Sequence, residues 1–160
     1  MDNSTVKKSP IHGFGLFTTR KITKGEHILH KDLTRLKKYT LEEVNANPNG
    51  DHSDYVGGAY FNHSCDPSCY VKSRSIAVKD IYALRDIEEG EELALDYAAN
   101  AVDQFAGKGV WVMYCKCGSQ NCRGRVTADF FQLPVELQRM YFPHLPPYIR
   151  RKYRVYFATS

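Results

Sequence analysis

The chain has 160 residues, 42% hydrophobic and 25% charged, a balance that fits one compact domain with a short appendage and excludes a second large domain. No run of about eighteen apolar residues occurs and the start MDNSTVKKSP lacks an apolar stretch, so neither a membrane span nor secretion is expected, and the protein is expected to be intracellular. The net charge of +4 is uneven: residues 137–160 hold Arg139, Arg150, Arg151, Lys152 and Arg154 with no acid, against 17 basic and 18 acidic side chains in residues 1–136.

In chain order, glycine and proline punctuate the first hundred residues, and the apolar runs between them are short and rich in β-branched and aromatic residues. That pattern reads as strands. Candidate strands lie at 15–18, 27–30, 76–84 (Ile76, Val78 and Tyr82 sharing a face) and 92–97, in small sheets rather than alternating strand–helix units. Thr40-Leu-Glu-Glu43 has the form of a capping box opening a short helix, ended by the turn residues Asn45 to Gly50. Arg20-Lys-Ile-Thr-Lys-Gly-Glu26 and Arg85-Asp-Ile-Glu-Glu-Gly-Glu91 repeat one pattern. Each predicts a tight turn with an isoleucine anchored in the core and a glycine at positive φ, the pair belonging to one β fold. Past Pro134 the character changes: Leu137, Met140 and Tyr141 mark one amphipathic helix. After Pro146-Pro147, Ile149, Tyr153, Tyr156 and Phe157 mark a second.

Four constellations can carry chemistry. Gly13-Phe-Gly15 lets backbone approach a ligand closely, although alone it equally suits a hairpin turn. Tyr60-Phe-Asn-His-Ser-Cys-Asp-Pro-Ser-Cys69 puts Asn62, His63, Ser64 and Cys65 on consecutive positions, and strand alternation sets His63 and Cys65 on one side. With no third orienting residue in view, binding or metal ligation is the better reading than nucleophilic catalysis. Glu91-Glu-Leu-Ala-Leu-Asp-Tyr97 is an acidic start running into a strand, and its tyrosine alone reads as a half-buried core residue. Cys115-x-Cys117-x4-Cys122 places three thiols within eight residues around Gly118. This suits a tetrahedral zinc site that still needs a fourth ligand, for which Cys65 and Cys69 are the remaining thiols.

Taken in order, these segments resemble a SET domain, the fold of protein-lysine methyltransferases, followed by a post-SET zinc motif. Gly13-Phe-Gly15, Asn62-His-Ser-Cys65, Glu92-Leu-Ala-Leu-Asp-Tyr97 and Cys115 to Cys122 each match a family motif, and the likeness covers residues 9–126. It implies a mainly β fold of small curved sheets with a pseudoknot-like crossing: a SET domain over 9–100, a post-SET zinc element over 101–126 and a helical C-terminal extension over 127–160. It further implies S-adenosylmethionine as cofactor, bound by Gly13, Phe14, Gly15, Asn62, His63 and Tyr97, with Tyr97 catalytic. Cys65 joins Cys115, Cys117 and Cys122 on Zn2+, and Cys69 stays free. The chain departs from the family pattern at Ala59, where many members have Arg, at Ser68, a common Asn position, and at Leu95, where relatives carry Phe or Tyr.

The implied substrate is a protein with a target lysine, a histone or another basic, chromatin-associated or nucleic-acid-associated protein. The alternative is a catalytically silent SET-like zinc module that binds a peptide or nucleic acid. Intact Asn62, His63 and Tyr97 speak for the enzyme. Basic residues along the last helix read as a solvated face, so direct nucleic-acid binding is not expected. The extension, too short to bury a core of its own, must cover a surface with Leu137, Met140, Tyr141, Tyr153, Tyr156 and Phe157, either near the substrate channel or on the back of the domain.

Overall fold

Short extended segments separated by glycine turns assemble into three small sheets, and the helices come last. The structure is a computed structural model that describes residues 3–32, 60–75, 78–99 and 110–157. The predicted helix opening at Thr40, the turn after it, and positions Ala59 and Ile76 lie outside the described residues. Strands β1 (Ser4–Lys8) and β2 (Phe14–Thr18) pair antiparallel. A five-stranded sheet runs in the order β3 (His27–Asp32), β6 (Val78–Ala83), β5 (Cys69–Ser73), β7 (Ala94–Leu95), β4 (Asn62–His63). Strands β8 (Val112–Tyr114) and β9 (Arg125–Thr127) form the third sheet. Among the described residues no helix is long and apolar enough to cross a membrane.

The central sheet is mixed. The hairpin β5–β6 is antiparallel, whereas β7 returns between β5 and β4 and runs parallel to both. Asn62–His63 and Ala94–Leu95 therefore lie side by side although 32 positions separate them, the crossing that the resemblance implies. Ser68 seals it from below: its hydroxyl donates to the Glu92 carbonyl (3.0 Å) and accepts from the Ala94 amide (2.9 Å).

The repeated Arg-x-Ile-x-x-Gly-Glu turns face each other. Ile22 and Ile87 exchange both backbone hydrogen bonds at 2.9 Å, and both side chains are buried. Gly25 and Gly90 each take φ near +83°, a value L side chains rarely adopt. Within each turn the arginine pairs with the glutamate, Arg20 with Glu26 and Arg85 with Glu91. The two motifs form one two-sided brace under the first core, which gathers Leu16, Phe61, Cys69, Ile81, Leu93 and Leu95.

On β6 the face shared by Val78 and Tyr82 also carries Asp80, while Ile81 and Ala83 on the opposite face enter the first core. The Asp80 carboxylate is buried and fully engaged: Arg74 Nε donates at 2.7 Å, and His30 and His27 approach at 2.7 and 3.3 Å. Burial alone would raise its pKa, but the hydrogen bonds from His30, Arg74 and His27 outweigh it and bring the value down to about 2.

The C-terminal extension is helical as predicted, with α1 (Val135–Tyr141) and α2 (Pro147–Phe157) joined through a 3-10 turn at Phe142–His144. It packs on the body of the protein. Phe130, Leu133, Tyr141, Leu145 and Ile149 form a second core with Cys65, Ala98, Ala99 and Cys115. Leu137, Tyr153 and Phe157 pack at its edge. Met140 and Tyr156 remain exposed, because Ile149, Tyr153 and Phe157 repeat every four residues and turn Tyr156 outward, where its ring edge meets Phe131. A buried glutamine completes the joint: the Gln138 side chain donates to the carbonyls of Phe131 (3.0 Å) and Leu133 (2.7 Å), just ahead of α1.

Two outcomes are expected. Phe130→Ala empties a fully buried site and lowers unfolding free energy by about 3–5 kcal/mol, whereas Val155→Ala on exposed α2 surface stays within about 0.5 kcal/mol; urea titration of both variants separates a shared core from an appended helix pair. For Asp80 the folded pKa of about 2 lies below the ordinary aspartate value, so its contribution is present above about pH 4 and is lost as pH falls from about 4 toward 2. Thermal melts across that range should flatten in Asp80→Asn, and an unchanged acid limb would remove Asp80 as its source.

Candidate functional site

The site starts at the bend between β1 and β2. Ser9 accepts the Ile11 amide on its hydroxyl (2.9 Å), and that hydroxyl donates to the Glu92 carboxylate at 2.9 Å. Glu92 Oε1 also accepts from Asn62 Nδ2 at 2.7 Å. The same Asn62 amide reaches the carbonyls of Phe14 (3.0 Å) and His12 (3.2 Å). Two side chains from distant strands thus fix the course of residues 9–14. Gly15 makes this possible, since a Cβ there would stand 2.1 Å from Glu92 Oε1 and 3.1 Å from Asn62 Nδ2. Gly13 supplies the turn with φ of +50°.

Beside this bend the crossing delivers His63 and Tyr97 together. The Tyr97 amide donates to His63 Nδ1 (3.1 Å), which places the imidazole proton on Nε2, 3.3 Å from Cys65 Sγ. Burial lowers the His63 pKa despite the Asp96 carboxylate 3.8 Å away. A neutral His63 that donates toward Cys65 cannot take a proton from it, and burial raises the Cys65 thiol's own pKa. The pair is not a Cys–His nucleophile. The Tyr97 hydroxyl donates to the Phe61 carbonyl at 2.6 Å, and burial, with Glu92 nearby, keeps the phenol protonated.

The four thiols of Cys65, Cys115, Cys117 and Cys122 meet, with all sulfurs within 4.8 Å of one another. Cys65 Sγ and Cys115 Sγ are 3.8 Å apart. A tetrahedron with arms of about 2.3 Å has edges of about 3.8 Å, so the spacing fits a tetrahedral metal with four sulfur ligands. Further donors surround the sulfurs: the Arg123 amide points at Cys65 Sγ (3.4 Å) and the Cys65 amide at Cys117 Sγ (3.5 Å). At Cys117 burial opposes ionisation, but the Cys65 amide and Ser119 outweigh it and bring the thiol down to about 6. Cys69 lies in the first core, where burial raises its thiol to about 12.

One ion pair joins the thiol cluster to the crossing. Both Arg123 guanidinium nitrogens donate to the Asp96 carboxylate at 2.7 Å, a bidentate pair with Asp96 almost fully buried. Asp96 precedes Tyr97, and Arg123 follows the ligand-type Cys122.

These groups border one cleft of about 340 Å³, within the usual range for a small-molecule site. Asn62, His63, Tyr97, Cys115 and Cys117 line it, as do Ile11, His12, Met113 and Tyr114. Gly13, Phe14 and Gly15 do not line it. They act behind it by setting the bend, and Phe14 is half exposed. Sequence reading missed Glu92, Ser9 and Arg123 as parts of this site. Glu92 opens a matched motif, but nothing in the sequence signals that its carboxylate turns inward to Asn62.

Comparison with known proteins gives the family. The SET domain profile matches residues 13–98, more than half of the chain, and the chain belongs to the SET-domain family. It is 40% identical over 70 residues to the "Probable histone-lysine N-methyltransferase set-23" of Caenorhabditis briggsae, covering 41% of this chain and 27% of that protein. It is 32% identical over 138 residues to the "Histone-lysine N-methyltransferase, H3 lysine-4 specific" of Debaryomyces hansenii (73% of this chain, 12% of that protein). It is also 32% identical over 140 residues to the human "Histone-lysine N-methyltransferase 2B" (74% and 5%). The chain therefore spans about a quarter or less of the length of these relatives.

Proposed function

We propose that this chain is a protein-lysine methyltransferase that moves a methyl group from S-adenosylmethionine to the side-chain amine of a lysine, on a histone or another chromatin-associated protein inside the cell. The observation that carries this reading is the convergence of Asn62, His63 and Tyr97 on one cleft, beside a closed set of four thiols, in a chain of the SET family. The names of the relatives support histone as the substrate class.

The donor set fits the cofactor. Its amino-acid end carries an ammonium that needs acceptors, and Asn62, whose amide nitrogen is spent on Glu92, Phe14 and His12, keeps its Oδ1 to accept from it beside apolar Ile11 and Met113. Gly13, Phe14 and Gly15 serve by holding that backbone in place. S-adenosylmethionine supplies a methyl group on a positively charged sulfur, so no activated protein nucleophile is required.

Positioning is then the main task. Tyr97 keeps its proton and spends it on the Phe61 carbonyl. Its oxygen retains lone pairs that can accept from the lysine amine and orient it. Free lysine has a pKa of about 10.4, and entry into a dry slot beside a cation lowers it, which favours the neutral amine. No carboxylate base is needed. The thiols of Cys65, Cys115, Cys117 and Cys122 would hold a structural zinc ion, and four sulfur ligands leave no open position for catalysis.

Labelled S-adenosylmethionine offered with histones, other basic proteins and lysate tests the reaction. On a mapped lysine, Tyr97→Phe should cut turnover by about a hundredfold or more, with cofactor affinity within a few-fold. Asn62→Ala should weaken cofactor binding directly, because it also frees the bend at His12 and Phe14. Near-normal turnover in Tyr97→Phe would end the catalytic assignment. Metal analysis should find one zinc per chain, lost in Cys65→Ser and kept in Cys69→Ser, with the segment after Val112 loosening first on chelation. The opposite pattern would move the fourth ligand to Cys69.

A further inference from the structure

Read alone, the basic residues of α2 are a solvated face, but folding adds cations from elsewhere in the chain. Ile149, Tyr153 and Phe157 turn inward, and Arg150, Arg154 and Arg151 occupy an arc of about 100° on the exposed side of the helix. No acidic residue occurs from position 137 onward to balance them. Opposite the helix stand Lys72 at the end of β5 and Arg74 just after it. Lys72, Arg74 and Arg150 border one cleft of about 300 Å³, together with Asp80, Tyr82 and Pro147.

Among the described residues Asp80 is the single carboxylate in that lining, and Arg74, His30 and His27 already engage it. Arg74 donates its Nε to Asp80 and is two-thirds exposed to solvent. Arg150 is anchored by its Nε, which donates to the Leu145 carbonyl at 3.0 Å. Neither Lys72 nor Arg150 has a carboxylate partner among the described residues. Their joint field reaches His144, whose pKa is lowered by burial first and then by Lys72 and Arg150. Like charges gathered without a counter-charge repel one another, and a bound anion relieves that cost.

The kind of anion follows from the arrangement. Arg150 and Arg154 lie one turn apart, about 6 Å along the helix, so the cleft continues as a ridge of cations and matches a polymer of repeating charge better than a single ion. Guanidinium groups dominate, and their planar forks suit phosphate. Among the described residues the cleft has only Pro147 and the Tyr82 ring as apolar lining, little for the aromatic or aliphatic anchor that a protein partner would use. We propose that α2 and the turn after β5 form a binding surface for the phosphodiester backbone of a nucleic-acid duplex, with Lys72, Arg74 and Arg150 seating one phosphate and Arg151 and Arg154 its neighbours. Contacts of this kind are insensitive to base sequence. The inference rests on charge and geometry, and holds whether or not the methyl-transfer reading does.

Fluorescence anisotropy of the zinc-loaded full chain with a labelled mixed-sequence DNA duplex of about 20 base pairs, between 50 and 200 mM salt, is the test. Wild type should bind with an affinity that falls steeply as salt rises. Lys72→Glu/Arg150→Glu should lose at least about tenfold and flatten the salt slope by about two. Lys8→Glu/Lys24→Glu, an equal charge change on other surfaces, should stay within about twofold, with circular dichroism melts checking that both variants fold. Absence of duplex binding at 50 mM salt, or equal losses in the two variants, would overturn the proposal. Labelled poly-glutamate bound as tightly as the duplex at matched salt would reassign the surface to acidic proteins. Because no methyl transfer is read, failure here leaves the enzyme assignment untouched.

Discussion

The parallel contact between Asn62–His63 and Ala94–Leu95 is the constraint from which the rest of the site follows. Two residues per strand make a very short ladder, too little to hold itself against the entropy of closing the loop between them. It persists because side chains on both sides reinforce it. Ser68 bridges Glu92 and Ala94 on one side, and Asn62 grips Glu92 on the other. The same contacts that fix the crossing also shape the cleft, so the groups that line it are held in one arrangement. Such preorganisation matters most where a reaction depends on alignment rather than on an activated nucleophile.

The second feature of consequence is how the thiol cluster communicates with Tyr97. Two links run between them: His63 accepts the Tyr97 amide and points its other nitrogen at Cys65, and Arg123 points its amide at the same sulfur while its side chain clamps Asp96. A bidentate pair with one member almost fully buried is costly to break, because it strands a charge away from water. The Cys115–Cys122 loop is therefore tied to the Asp96 side chain and, through His63, to the Tyr97 amide. A metal that closed the cluster would stiffen one wall of the cleft while remaining outside the chemistry.

Local patterns in the sequence were the legible ones. The paired turns announce themselves by Arg, Ile, Gly and Glu at equal spacing, and both helices of the extension follow from proline starts and apolar periodicity. Strands β1 and β5 escaped notice for a physical reason. Ser4–Lys8 has a single aliphatic residue, Val6, and is held by its partner β2 rather than by propensity, and Cys69–Ser73 is masked by the polar string before it. The expected strand at 92–97 contracts to two residues because its start, at Glu92 and Leu93, pairs with β2 instead of the central sheet and its end turns the Tyr97 amide to His63 Nδ1. The site motifs stood out by order and residue type, but the bonds that arm them did not. Asn62 with Glu92 and Asp96 with Arg123 join positions about thirty apart, and no periodicity encodes such a pair.

The segment 93–99 is where the two cores meet. Leu93 and Leu95 belong to the first core and Tyr97 packs against it, whereas Ala98 and Ala99 belong to the second, with Asp96 buried between them. Ala98 and Ala99 are small, which lets Phe130, Tyr141 and Ile149 of the extension share a core with the backbone just past the tyrosine. Larger residues there would push the helices off, and a polar one would put unpaired groups in the seam. The extension thus packs as a wall behind the segment that carries Tyr97. Its apolar side packs through the second core against Ala98 and Ala99, just past Tyr97, and its basic side faces solvent. One short helix pair can serve both ends because the two faces of α2 are chemically separate.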